Sequence, residues 1–139
     1  MRYLSVQDLV DLHKAVSSEF GGTQARPGVI ESQFGLLNAV QRPQITTLGR
    51  EAYPQFADKV AAFVFALLQA HPFHGGNRRV ALASIFAFAE LNNRAVDSRV
   101  LDEKTAENLI KRASGHREMG LPPENVFAEL REVMRRAIA

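Results

Sequence analysis

The sequence predicts an all-α fold. Apolar residues recur three and four positions apart along most of the chain, capping and breaking residues stand at the ends of those runs, and one irregular stretch, Gln41 to Pro54, interrupts them. The chain has 139 residues, 46% apolar and 23% charged, which reads as one domain over 1–139 that is long enough to bury a core.

The elements follow in order. Ser5 is a good N-cap and Asp8 lies three residues on, close to a capping box. Leu4, Val6, Leu9, Val10, Leu12, His13 and Val16 then fall at helical spacing, so a helix is expected from about Ser5 to Phe20, ended by Gly21-Gly22. Thr23 to Gly28 reads as a loop. Ile30, Phe34, Leu36, Leu37 and Val40 predict a shorter helix that stops before Arg42-Pro43. Between Gln41 and Pro54 the β-branched Ile45, Thr46 and Thr47 lie among Pro43, Gly49 and Pro54, and a loop or small hairpin near residues 41–52 is expected. Gln55 to Ala70 is apolar nearly all round and predicts a central helix. His71 to Gly76 breaks it. Asn77 stands where an N-cap belongs, and a second central helix runs to Asn92-Asn93. Val100 to Ser114 and the stretch opened by Pro122-Pro123 are the last two helices.

Charge excludes little by itself. The 17 Lys+Arg against 15 Asp+Glu leave a formal charge of +2. The basic residues are mostly scattered, so no electrostatic footprint for nucleic acid is read despite a pI near 9.3. There is no cysteine, which removes disulfides and thiolate metal sites. No signal peptide is read in Met1-Arg2-Tyr3-Leu4-Ser5, and the longest apolar stretch, Val60 to Ala70, is too short to span a bilayer. A cytoplasmic protein without membrane or direct nucleic-acid partners is the expectation.

The chemistry concentrates in His71-Pro72-Phe73-His74-Gly75-Gly76-Asn77-Arg78-Arg79. This loop joins two buried helices. Its glycines allow a tight turn, and the helix that follows begins with N–H groups lacking internal partners. Arg78 and Arg79 fall in that first turn, where the helix dipole disfavours cations unless an anion is also bound. His71 is suited to accept a proton near neutral pH. Phe73 is expected to anchor the loop in the core. The residues alone leave a second reading open, a capped interhelical turn with His71 as C-cap and Asn77 as N-cap.

The segment resembles the signature of Fic/Doc proteins, His-Pro-Phe-x-(Asp/Glu)-Gly-Asn-(Gly/Lys)-Arg, which His71, Pro72, Phe73, Gly76, Asn77 and Arg79 match directly. The likeness extends outward through Phe20-Gly21-Gly22, Arg26-Pro27-Gly28, Arg42-Pro43-Gln44 and Ala52-Tyr53-Pro54, and onward to Glu90-Leu91-Asn92, in the manner of the death-on-curing branch. The resemblance implies a compact helical bundle with a β-hairpin flap, expected near Gln41–Leu48, that docks a target segment. It implies transfer of a phosphate-containing group from ATP to a protein hydroxyl. His71 would be the base, Gly76, Asn77, Arg78 and Arg79 would hold the nucleotide phosphates, and Phe73 would anchor the loop. It also implies a toxin of a type II toxin–antitoxin system. Its partners would be a small antitoxin whose disordered segment folds on binding, and a target that is a translation factor.

Two positions depart from the pattern. Arg78 replaces Gly or Lys. Being large and cationic it resembles the Lys of the branch associated with phosphorylation, rather than the Gly associated with AMP transfer. Gly75 replaces the acid that binds magnesium in the family, so no metal ligand is expected there and magnesium is in doubt. The alternative is a catalytically degenerate fold that binds a nucleotide or a protein. Glu51 or Asp58 is a candidate to restore the lost carboxylate, and Arg78 a candidate to replace part of the metal's charge. No self-inhibitory motif is found, because Thr105-Ala106-Glu107-Asn108 has the wrong spacing. Elsewhere, His13 is expected to be a partly buried structural residue and His74 an occupant of a free position. His116 and the Arg131, Arg135 and Arg136 group are expected in solvent, and Phe63, Phe65, Phe86 and Phe88 in the core.

Overall fold

The structure is a computed structural model that describes residues 1–19 and 26–138. Its elements are α1 (Val6–Glu19), α2 (Gln33–Gln41), a 3-10 turn (Arg42–Gln44), β1 (Thr46–Thr47), β2 (Arg50–Glu51), α3 (Phe56–Ala70), α4 (Asn77–Leu91), α5 (Glu103–Ser114) and α6 (Pro123–Ala137). The all-α expectation holds. The glycines expected to end α1 lie outside the described residues.

A reciprocal capping box starts α1. Asp8 N–H donates to Ser5 Oγ at 3.0 Å, and Ser5 N–H donates to Asp8 Oδ2 at 2.8 Å. Helix α2 starts later than its apolar spacing suggests. Ile30 pairs with Phe73 as an antiparallel bridge instead, and Ser32 caps the helix by accepting from Gly35 N–H. The hairpin is narrower and later than the expected flap. Gln41 to Gln44 stays helical, and the strands pair Thr46 with Glu51 and Thr47 with Arg50. Leu48 and Gly49 both have positive φ, 53° and 76°, as a tight two-residue hairpin turn requires. Leu48 stands 98% exposed at its tip.

Helix α3 is the axis of the molecule. It is buried on nearly every face and packs against α2, α4, α5 and α6, while α4 also packs against α1 and α5. Phe63 and Phe88 meet edge to face at 5.8 Å. Phe65 is half-buried against Phe127, and Phe86 lies off the buried stripe of α4 at 44% exposure, contrary to the core expected for it.

Two polar expectations are corrected, those for Arg131 and His116. Arg131 is half-buried rather than in solvent, while Arg135 and Arg136 are exposed as expected. Neither Arg131 nor Arg135 is a free charge. Arg135 forks onto Asp58 at 2.8 and 2.7 Å, and Arg131 adds a third bond at 3.1 Å. Asp58 is buried on α3, so it needs these partners. Burial alone pushes its carboxyl up, but hydrogen bonds from Arg135 and Arg131, with their charges, outweigh burial and hold it below the usual carboxylate range. His116 is buried rather than solvated, with its ring 2.7 Å from Gln69 Oε1 and 3.2 Å from the Leu121 carbonyl oxygen. Helix α5 begins at Glu103, capped by Asp102, whose carboxylate accepts from Thr105 N–H at 2.7 Å. Among the described residues no helix is long and apolar enough to cross a membrane.

Candidate active site

The loop between α3 and α4 is shaped by its own residues first. α3 ends at His71, which adopts a left-handed conformation with φ 45° and ψ 56°. A residue with a Cβ pays about 1–2 kcal/mol there, a strain typical of functional positions. Pro72 cannot continue the helix. Its carbonyl accepts from Glu31 N–H at 2.7 Å and Ser32 N–H at 3.1 Å. Phe73 is buried, at the start of the loop. Asn77 closes the loop on itself, because its Oδ1 accepts from Phe73 N–H and its Nδ2 donates to the Phe73 carbonyl, both at 3.0 Å.

That closure corrects the expected cap. Gly76, at φ 71°, is the N-cap of α4, and Asn77 is the first helical residue. A side-chain cap is missing because the Asn77 amide points back to Phe73. The N–H groups of Gly75, Gly76, Asn77 and Arg78 therefore make no hydrogen bond among the described residues. A capped turn would not leave them so, and an anion would satisfy them.

A cleft of about 360 Å³ lies over these groups, lined by His71, Gly75, Gly76, Asn77, Arg78 and Arg79. It gathers every site residue expected from the sequence except Phe73, which is buried in the core. His71, Arg78 and Arg79 are exposed. His74 turns away from the cleft, with Nδ1 3.1 Å from Glu31 Oε2.

Among the described residues no carboxylate lines the cleft. Glu51 is paired with buried Lys59 at 2.9 Å, and Asp58 is held by Arg131 and Arg135, so neither restores the acid missing at Gly75. Among the described residues no cluster of three or more His, Asp or Glu could hold a metal ion. The described residues do not fit the magnesium that the resemblance implies.

Two supports of the loop escape sequence reasoning. One is the segment from Arg26 to Ser32, which runs alongside it: Arg26 N–H donates to the His74 carbonyl at 3.2 Å, and His74 N–H donates to the Val29 carbonyl at 2.9 Å. The other is His13, fully buried on α1 and stacked on the Phe73 ring at 4.2 Å. Its signal was present in the sequence. A histidine on the buried stripe of Leu9 and Val16 has to find polar partners.

A cleft with unpaired amides, arginines and a histidine thus stands at the junction of two central helices, in the loop whose sequence resembles the Fic/Doc signature. The chain matches the Fic/DOC family over residues 3–89, and it belongs to that family. It is 38% identical over 86 residues to Toxin Doc of Mycolicibacterium smegmatis, across 61% of this chain and 62% of that one. It is 32% identical over 111 residues to Protein kinase doc of Escherichia phage P1, across 76% of this chain and 80% of that one. The match to the Mycolicibacterium protein thus spans less than two thirds of that protein's length.

Proposed function

We propose that the protein is a toxin that transfers a phosphate-containing group from ATP to a hydroxyl of a bacterial protein, and that the group is the γ-phosphoryl. The observation that carries this reading is the cleft itself, where unpaired N–H groups of Gly75 to Arg78 meet the exposed Arg78, Arg79 and His71. His71 takes the proton from the attacking hydroxyl. The hydroxyl oxygen bonds to the γ-phosphorus, the bond to the bridging oxygen breaks, and ADP leaves. The loop amides and Arg79 hold the phosphates while Asn77 keeps the loop closed. Arg78 supplies bulk and positive charge beside the phosphates, which favours phosphorylation over AMP transfer. The phage relative's own name, protein kinase, supports that choice. The partner is a small antitoxin whose disordered segment folds on binding, and the target is a translation factor. The cytoplasm is the place of action.

A second reading rests on one observation, that among the described residues no carboxylate lines the cleft. In it the site binds nucleotide without turnover. Labelled ATP with a bacterial lysate separates the two. Label transferred from the γ position, lost in His71→Ala, supports the kinase. Label from the α position replaces it with AMP transfer. Magnesium-independent ATP binding with no transfer supports the binding module, and Gly75→Asp then reports whether the acid is all that is missing. Aspartate tolerates the left-handed backbone at Gly75, φ 75°, better than most residues, so the variant should fold.

A further inference from the structure

We infer that His13 is a positioning residue for the phosphate loop, locking the peptide unit between Gly75 and Gly76 so that its N–H faces the cleft. The inference rests on reading that cleft as a phosphate site. His13 lies fully buried on α1, outside the motif, yet both ring nitrogens are engaged. Nδ1 accepts from Gly28 N–H at 2.9 Å, and Nε2 lies 2.9 Å from the Gly75 carbonyl oxygen. An N–H can only donate, so Nδ1 is unprotonated and Nε2 carries the proton that it donates to Gly75.

The consequence follows from peptide geometry. The Gly75 carbonyl and the Gly76 N–H belong to one planar trans unit and point in opposite directions. A carbonyl pinned toward buried His13 sends the Gly76 N–H the other way, to the side where Gly76 lines the cleft. Between two glycines this unit is otherwise free to flip, since neither has a Cβ to oppose rotation. A flip would present a carbonyl oxygen to an incoming phosphate and repel it. The ring also stacks on Phe73 with planes 8° apart, and through Gly28 it ties the loop to the Arg26–Ser32 segment. His13 thereby joins α1, that segment and the motif at one point.

Two variants of the full chain exchange the properties of this residue. His13→Phe keeps a ring on Phe73 and removes both nitrogens. His13→Gln loses the stack but keeps a donor and an acceptor. ATP is titrated by calorimetry without magnesium, thermal midpoints are measured in parallel, and the amide resonances of Gly28 and Gly76 are followed. Positioning predicts that His13→Phe weakens ATP binding about tenfold and moves both resonances, while His13→Gln stays within about threefold of the parent despite a lower midpoint. Affinity that tracks the thermal midpoint, poor in Gln and retained in Phe, makes His13 a packing residue and overturns the inference. If the parent chain takes up no ATP, the proposed function falls, and the resonances alone decide. Gly76 moved in Phe and held in Gln supports the lock, and Gly76 unmoved in Phe removes it. If His13→Phe does not fold, the Gln variant decides by the same two readouts, held values supporting the lock and displaced ones overturning it.

Discussion

Arg131 and Arg135 on α6 reach back to Asp58 in the first turn of α3, whereas the side chain of Arg78, just past the other end of α3, has no hydrogen bond or ion pair among the described residues. At the first end a buried carboxylate has its charge met by two guanidinium groups. At the second, a cation sits in the first turn of α4 beside backbone N–H groups that have no acceptor among the described residues. The helix dipole makes that placement unfavourable by about 0.3–1 kcal/mol. The first arrangement is complete without a ligand and serves stability. The second lacks an acceptor among the described residues, which is what the proposed phosphate site requires. The αL strain at His71 belongs to the same end.

The strongest way to break this contrast is to remove His71. With the general base gone, transfer from ATP should fall by about 10²–10⁴-fold in His71→Ala, measured with labelled ATP and a lysate. The thermal midpoint should hold, since the side chain is exposed. His71→Gly should lose the same activity and raise the midpoint, because glycine adopts φ 45° without strain. A midpoint that drops in both variants would assign His71 to the structural end of the molecule.

The opposite end is tested by Asp58→Asn, which should cost about 2–3 kcal/mol in urea unfolding while leaving ATP affinity unchanged. The pH dependence carries a sign. The folded carboxyl lies below its ordinary value, so the unfolded chain takes up the proton first as pH falls. The contribution of Asp58 is therefore fully present above about pH 4 and disappears as pH falls through the folded value. The parent should lose stability over that acid range, and Asp58→Asn should lose less. Equal acid slopes would mean that the ion pairs do not hold α6 on α3.

These two ends were unequally legible. The helices, the hairpin and the motif loop follow from spacing and breakers, which are local signals. The expected site residues come together because a rigid loop places neighbours in sequence side by side. What sequence reasoning missed is non-local. Asp58 meets Arg131 and Arg135 from more than seventy positions away, and His116 meets Gln69 across the bundle. Polar residues on helices read as solvated unless their distant partners are known. His13 shows the same gap at the site. Its place on the buried stripe was visible, but its reach to the Gly75 carbonyl was not. The cap was misplaced for a local reason, since Asn77 has two jobs open to it and the loop closure to Phe73 took its amide.

The smallest expected effect sharpens the contrast most. Arg78→Ala should weaken ATP binding about tenfold, or ~1.4 kcal/mol, because one charge near the phosphates is lost while the backbone amides remain. Its stability should stay level or rise by a few tenths of a kcal/mol, as a cation leaves a helix N-terminus. Arg135→Ala should do the reverse, destabilising the fold through Asp58 with ATP affinity intact. The affinity loss in Arg78→Ala should shrink at high salt, since an exposed charge is screened, whereas the stability loss in Arg135→Ala should persist because its partner is buried. Calorimetry and urea unfolding at two salt concentrations read all four quantities. If Arg78→Ala destabilises the chain and leaves ATP affinity alone, Arg78 has a partner inside the protein and the cleft loses its claim to an anion.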